Sequence, residues 1–161
     1  MSYTLNLETD EEAKEMQKAA LILEGGAKRG VFTSGVLDYL MEQEYYIPHV
    51  IGVSAGSCNA VDYVSRQPGR TKACMIRSGE DGKIINFHNF FQTKSLLDMD
   101  LIFERDPKEL HPFDFDTYFA SDMTCEIVVT NCESGQAEYY SEKEDGDRLM
   151  QLCRASSSMP L

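Results

Sequence analysis

The chain is 161 residues long, 42% apolar and 26% charged, with a net charge of −12 from 15 basic and 27 acidic residues, which suits one globular domain with a real core and not two. So acidic a balance argues against a nucleic-acid binder, which needs Lys and Arg against phosphates, and disfavours electrostatic docking on an anionic leaflet, while an apolar contact with lipid stays open. Five scattered cysteines (Cys58, Cys74, Cys125, Cys132 and Cys153) without a C-x-x-C pair argue against a disulfide framework or a zinc site and for reduced thiols in a cytoplasmic protein.

In chain order, residues 1–17 read as a polar lead-in with no apolar signal segment, and 18–161 as the domain. Ala19-Ala20-Leu21-Ile22-Leu23 is a short apolar run closed by glycines, which predicts a parallel strand buried on both faces. From Val31 the period changes, and Phe32, Val36, Leu37, Leu40 and Met41 share one helical face. Tyr46-Ile47 and Val50–Val53 read as a second strand, with Pro48 at its start or at an edge irregularity, and 56–65 as a second helix. Two strand-loop-helix units within about 65 residues predict an α/β fold with parallel strands.

Gln67-Pro68-Gly69 stops that helix. A short helix follows at 71–77, ended by Ser78-Gly79. The aromatic stretch 83–91 is ambiguous. Ser95 is read as the N-cap of a helix over 96–104, and Asp106-Pro107 and His111-Pro112 as loop. Phe113, Phe115 and Phe119 are expected to cover part of the core. Residues 126–130 predict a strand, 133–136 a turn, 137–140 a returning antiparallel strand and 147–154 a helix. No strand follows, so the chain is expected to be part of a longer protein whose sheet continues. The exposed edge of a shortened sheet then makes a homodimer an expectation.

Two motifs carry chemistry. Gly52-Val53-Ser54-Ala55-Gly56 reads as a G-x-S-x-G elbow, in which glycines flank a serine held on a tight strand-to-helix turn. Gly25-Gly26-Ala27-Lys28-Arg29-Gly30 also follows a strand and opens a helix, so its N–H groups can converge on an anion. A Walker A loop needs Lys-Ser/Thr after Gly30, where Val31-Phe32 stand, and a dinucleotide fingerprint needs G-x-G-x-x-G, which is absent. An oxyanion hole for Ser54 remains, beside the bland reading of a tight connection with no ligand. His49, His88 and His111 read as packing or surface residues, Cys58 as a small buried one. Asp98, Asp100, Asp114 and Asp116 read as caps and loop acids, and 142–145 as a solvated face.

These two motifs, in this order and followed by Asn59-Ala60, resemble the patatin-like phospholipase family. The likeness runs on through 65–70, the Val128-Val129-Thr130 strand and Ala155-Ser156. It implies a three-layer α/β/α sandwich with a largely parallel central sheet, lacking its C-terminal part. It also implies a serine lipid acyl hydrolase that works through a Ser-Asp dyad and needs no metal or organic cofactor. Carried over residue by residue, Ser54 is the acyl nucleophile. Gly25, Gly26 and Ala27 offer the oxyanion N–H groups, while Arg29, Gly30, Gly52 and Gly56 shape the two loops. Glu24 stands where the family has Asp, and Ala27 where it has a third Gly. The family's D-G-G/A motif has no match in Asp81-Gly82-Lys83 or Asp145-Gly146-Asp147, so the dyad Asp is expected beyond Leu161 and the isolated chain is expected to be nearly inert. The partners implied are a lipid or acyl-ester substrate and a peripheral membrane contact. Two rivals stay open, a Ser-His-Asp esterase using His88, His111 or a later His, and a non-catalytic lipid-binding or interaction domain.

Overall fold

In a computed structural model of the protein, residues 19–76 and 98–158 are described. The polar lead-in, Ser78-Gly79, Asp81, the aromatic stretch 83–91 with His88, and the Ser95 cap lie outside them. β1 (Ala20–Leu23) leads through one 3₁₀ turn (Ala27–Arg29) into α1 (Gly30–Glu42). β2 (His49–Val53) leads into α2 (Ala55–Val64), followed by α3 (Arg70–Met75). A π-helix (Leu101–Leu110), α4 (Phe115–Ala120), β3 (Thr124–Thr130), β4 (Ala137–Tyr140) and α5 (Gly146–Ser157) complete the described chain.

The strands form one sheet in the order β1-β2-β3-β4. β1, β2 and β3 are parallel, and β4 returns antiparallel on β3. This is the α/β fold with a largely parallel sheet that the sequence predicts. The register pairs Leu23 with Gly52 and Gly52 with Ile127. Because side chains alternate across a strand, Leu23, Val50, Cys125 and Ile127 share one face, and all four are buried. α2 and α5 pack on that face. α2 is its centre, with every residue but Cys58 buried. Burying a Val or Leu side chain of this kind stabilises by about 1.5–3 kcal/mol, so α2 anchors this face of the sheet, and α1 packs against α2.

The opposite parity carries Ile22, Val53 and Tyr139, which are 75%, 38% and 58% exposed. Among the described residues β1 is therefore an edge strand open on one face, and not the strand buried on both that was expected. α1 also departs from the single apolar face predicted. Leu37 and Met41 are buried against α2, whereas Phe32 and Val36 are 83% and 48% exposed and share the solvent side with Tyr39. Helical spacing of 100° per residue puts 32, 36 and 39 within one narrow arc, so α1 carries a second apolar stripe that no described residue covers.

Asp106-Pro107, expected in a loop, lies inside the π-helix and is buried. A proline ring collides with the carbonyl four residues back in an α-helix, and the wider coil accommodates it. α4 is an element the sequence reading missed. Its start is a plain N-cap, with Asp114 accepting from the Thr117 amide at 2.9 Å. Residues 142–145 are likewise more than a solvated face. The Glu142 carboxylate accepts from the amides of Lys143, Glu144 and Asp145 at 2.9–3.0 Å, and the Glu144 N–H is the main reason its pKa is lowered. Asp145 then caps α5 through the Arg148 amide. No helix among the described residues is long and apolar enough to cross a membrane.

Candidate active site

Both glycine loops lie at the C-terminal ends of neighbouring parallel strands, where α/β folds gather their sites. Ser54 is the single residue between β2 and α2 and has φ 56° and ψ −125°. A non-glycine residue there costs on the order of 1–3 kcal/mol and persists only where its surroundings enforce it. Two steric facts enforce it. A side chain at Gly52 would drive into the Gly56 carbonyl and Ser57 Cα, and one at Gly56 into the carbonyls of Leu23 and Glu24. The elbow therefore sits directly on the end of β1.

Gly25 completes the contact. A Cβ built there would stand 3.0 Å from Ser54 Cβ and 3.6 Å from Ser54 Oγ, so the missing side chain leaves the space beside the serine hydroxyl. Gly26 has φ 148° and Ala27 φ 49°. Ala27, which replaces a glycine of the family pattern, keeps its N–H and accepts the left-handed backbone at roughly 1–2 kcal/mol. Arg29 folds back over Gly26, its Nε 3.1 Å from where a Cβ would be. Among the described residues, the N–H groups of Gly25, Gly26 and Ala27 have no acceptor, and the Ser54 hydroxyl has no hydrogen-bond partner. Ser54 also caps α2, whose first turn holds no acidic residue, so the helix dipole favours negative charge at this point.

The elbow is held from behind. The Ser54 amide donates to Ser156 Oγ at 2.8 Å, and Ser156 donates to the Val128 carbonyl at 2.6 Å. Ser57 Oγ donates to the Ser54 carbonyl at 2.6 Å. The Asn59 amide donates to the Gly30 carbonyl at 3.0 Å, which ties the start of α1 to α2. Ser156 sits on the last helix, and only the small-residue run at 155–158 hints at its role. Replacing Ser156 with alanine leaves the Ser54 N–H without its acceptor. Urea unfolding is expected to show a loss of about 1–2 kcal/mol, and an unchanged midpoint would mean that the Ser54–Ser156 bond carries no weight.

Deeper in α2, Asp62 pairs with Arg70 at 2.7 Å and accepts from Thr71 at 2.5 Å, while Arg70 Nε donates to the His111 carbonyl at 3.0 Å. Burial raises the Asp62 pKa, opposed by the Arg70 guanidinium. Cys58, one turn past Ser54, has its thiol pushed up to about 12, by burial first and then by the charge of Asp62. It packs against the core but is only half-buried, short of the full burial expected. Neither described histidine bonds the serine. His49 begins β2 at the end away from Ser54 and bonds Glu126 at 2.6 Å, and His111 bonds Asp106 at 2.8 Å. Asp98 and Asp114 act as caps, and Asp100 pairs with Arg154.

A family model described as patatin-like phospholipase matches residues 21–161. The chain is also 26% identical, over 147 residues, to the uncharacterized protein YjjU of Escherichia coli (strain K12). That alignment takes in 89% of this chain and 40% of the relative, so the chain spans well under half of the relative's length.

Proposed function

Because the chain belongs to the patatin-like phospholipase family, we propose that it carries the nucleophile and the oxyanion loop of a serine hydrolase acting on acyl esters of lipids. The observation that carries this reading is the contact between the loops. The unbonded Ser54 hydroxyl lies against Gly25, in a loop with three N–H groups that have no acceptor. Ser54 Oγ attacks the ester carbonyl, and the amides of Gly25, Gly26 and Ala27 receive the charge that develops on its oxygen. One such donor lowers the barrier by about 3 kcal/mol. Arg29 and Gly30 keep the loop in shape.

The hydroxyl proton needs a base. Among the described residues no carboxylate or imidazole bonds Ser54 Oγ. We assign the base to an Asp beyond Leu161, an assignment that rests on the family pattern in which the dyad Asp follows the elbow on a later strand. That Asp takes the serine proton, returns it to the departing alcohol, and then activates the water that releases the acyl group. The Ser-His-Asp alternative finds no support at His49 or His111, both of which are engaged elsewhere.

A fluorophosphonate probe tests the reading. A polypeptide of the relative's length is expected to label at Ser54, and this chain alone only weakly. A folded long form that fails to label returns the protein to the non-catalytic reading.

The exposed Phe32, Val36 and Tyr39 begin two residues past Gly30, so a lipid surface reaching the site meets them first. Phe32→Asp is expected to weaken flotation on phosphatidylcholine vesicles about tenfold, and flotation equal to that of the unchanged chain would remove this contact.

A further inference from the structure

We propose that Cys74, Asp106 and His111 form a zinc site that clamps the π-helix onto α3. One donor atom from each residue lies within 4.8 Å of the other two. A tetrahedral zinc with bonds of about 2.0–2.3 Å holds its ligands roughly 3.5 Å apart, so the cluster needs only a small adjustment to close on the ion. The π-coil supplies two of the three donors. The His111 amide bonds the Asp106 carbonyl at 2.9 Å, five residues back. That turn stacks the imidazole over the carboxylate, with Nδ1 2.8 Å from Oδ1. In an α-helix, residues five apart diverge by more than a quarter turn, so the wide coil is what brings them together. Cys74, in the last turn of α3, adds the sulfur.

The donor set selects the ion. Thiolate, imidazole and carboxylate together suit zinc or cobalt, whereas calcium and magnesium take oxygen ligands. Asp106 is 1% exposed, and a buried carboxylate requires a cation or hydrogen bonds. Asp106 meets His111 and the Cys74 thiol, and among the described residues Arg70 also faces this region, pairing with Asp62 and donating to the His111 carbonyl. With the Cys74 thiol ionised, Asp62, Asp106 and Cys74 carry three negative charges, which Arg70 and one dication balance. On binding, the thiol proton goes to solvent and a zinc–sulfur bond takes its place, with no change of oxidation state. The charges also balance without metal if His111 is protonated on Asp106, and the experiment separates the two cases.

The test is a cobalt(II) titration of the folded chain, followed by displacement with zinc. The expected result is one equivalent bound, with thiolate-to-cobalt charge-transfer absorption in the near ultraviolet. Cys74→Ser is expected to abolish that absorption. His111→Gln is expected to weaken binding more than about 1,000-fold, beyond the 10–100-fold usual for losing a mere supporting contact. Cys132→Ser, on an exposed loop, leaves the absorption unchanged, and circular dichroism confirms that each variant is folded. Absorption that survives Cys74→Ser, or a folded unchanged chain that takes up no cobalt at stoichiometric concentration, overturns the site and leaves a plain His111–Asp106 ion pair.

Discussion

Replacing Ser54 with alanine is expected to lower kcat for acyl-ester hydrolysis roughly ten-thousand-fold or more, in a polypeptide of the relative's length, and to leave stability almost untouched. The magnitude follows from losing the atom that forms the covalent bond, since what survives is the contribution of substrate binding and the oxyanion amides. The stability half follows from the local geometry. The Ser54 hydroxyl makes no hydrogen bond among the described residues, and the amide that Ser156 holds is kept in the variant. Alanine has the same Cβ and meets the same cost at φ 56°. Denaturant unfolding is therefore expected to shift by less than about 0.5 kcal/mol. A variant that keeps a tenth of the activity would dismiss Ser54 as the nucleophile, and one that unfolds would give the serine a structural role this geometry does not contain.

The second large effect is steric. Gly56→Ala is expected to cost more than about 3 kcal/mol, beyond the usual penalty for overpacking, because the added carbon meets the carbonyls of Leu23 and Glu24 and no side chain can turn aside. Gly52→Ala fails in the same way against the Gly56 carbonyl and Ser57 Cα. Gly35 supplies the contrast. It lies mid-way along α1 with nothing within 4 Å of a built Cβ and no positive φ, so Gly35→Ala is expected to stabilise by roughly 0.5–1 kcal/mol. Thermal or urea unfolding of the three variants decides the matter. Equal midpoints for Gly35→Ala and Gly56→Ala would mean that β1 and the elbow are not packed as described.

The sequence reveals local units better than their assembly. β1, β2, the elbow, β3, the 133–136 turn and β4 follow from glycines, apolar runs and alternation, all of which act over a few residues. Which face of an element meets a neighbour is another matter. Phe32 and Met41, nine residues apart, stand on opposite sides of α1, and only the placement of α2 decides that the Leu37 and Met41 side is the buried one. The start of the π-helix falls within the helix read over 96–104, and its second half was missed because Asp106-Pro107 carries the signature of a loop, which burial overrides. In the site, Ser54, Gly25, Gly52 and Gly56 were legible from their motif. Ser156, Asp62 and Arg70 were not, because a hydrogen bond between distant helices leaves no periodic trace.

The Ser54–Ser156 bond spans 102 residues, and this sets the order in which the site can be built. During synthesis at about 5–20 residues per second, the elbow waits on the order of 5–20 s before its amide acceptor exists. Over that interval β1, β2 and α2 can pair through contacts close in sequence, which form early because they close short loops. The Ser54 amide is then the last group of the elbow to find its partner, when α5 docks on β3. A compact intermediate with a formed β1–β2 unit and a Ser54 amide still lacking its acceptor is the expected product of a ribosome stalled ahead of residue 156.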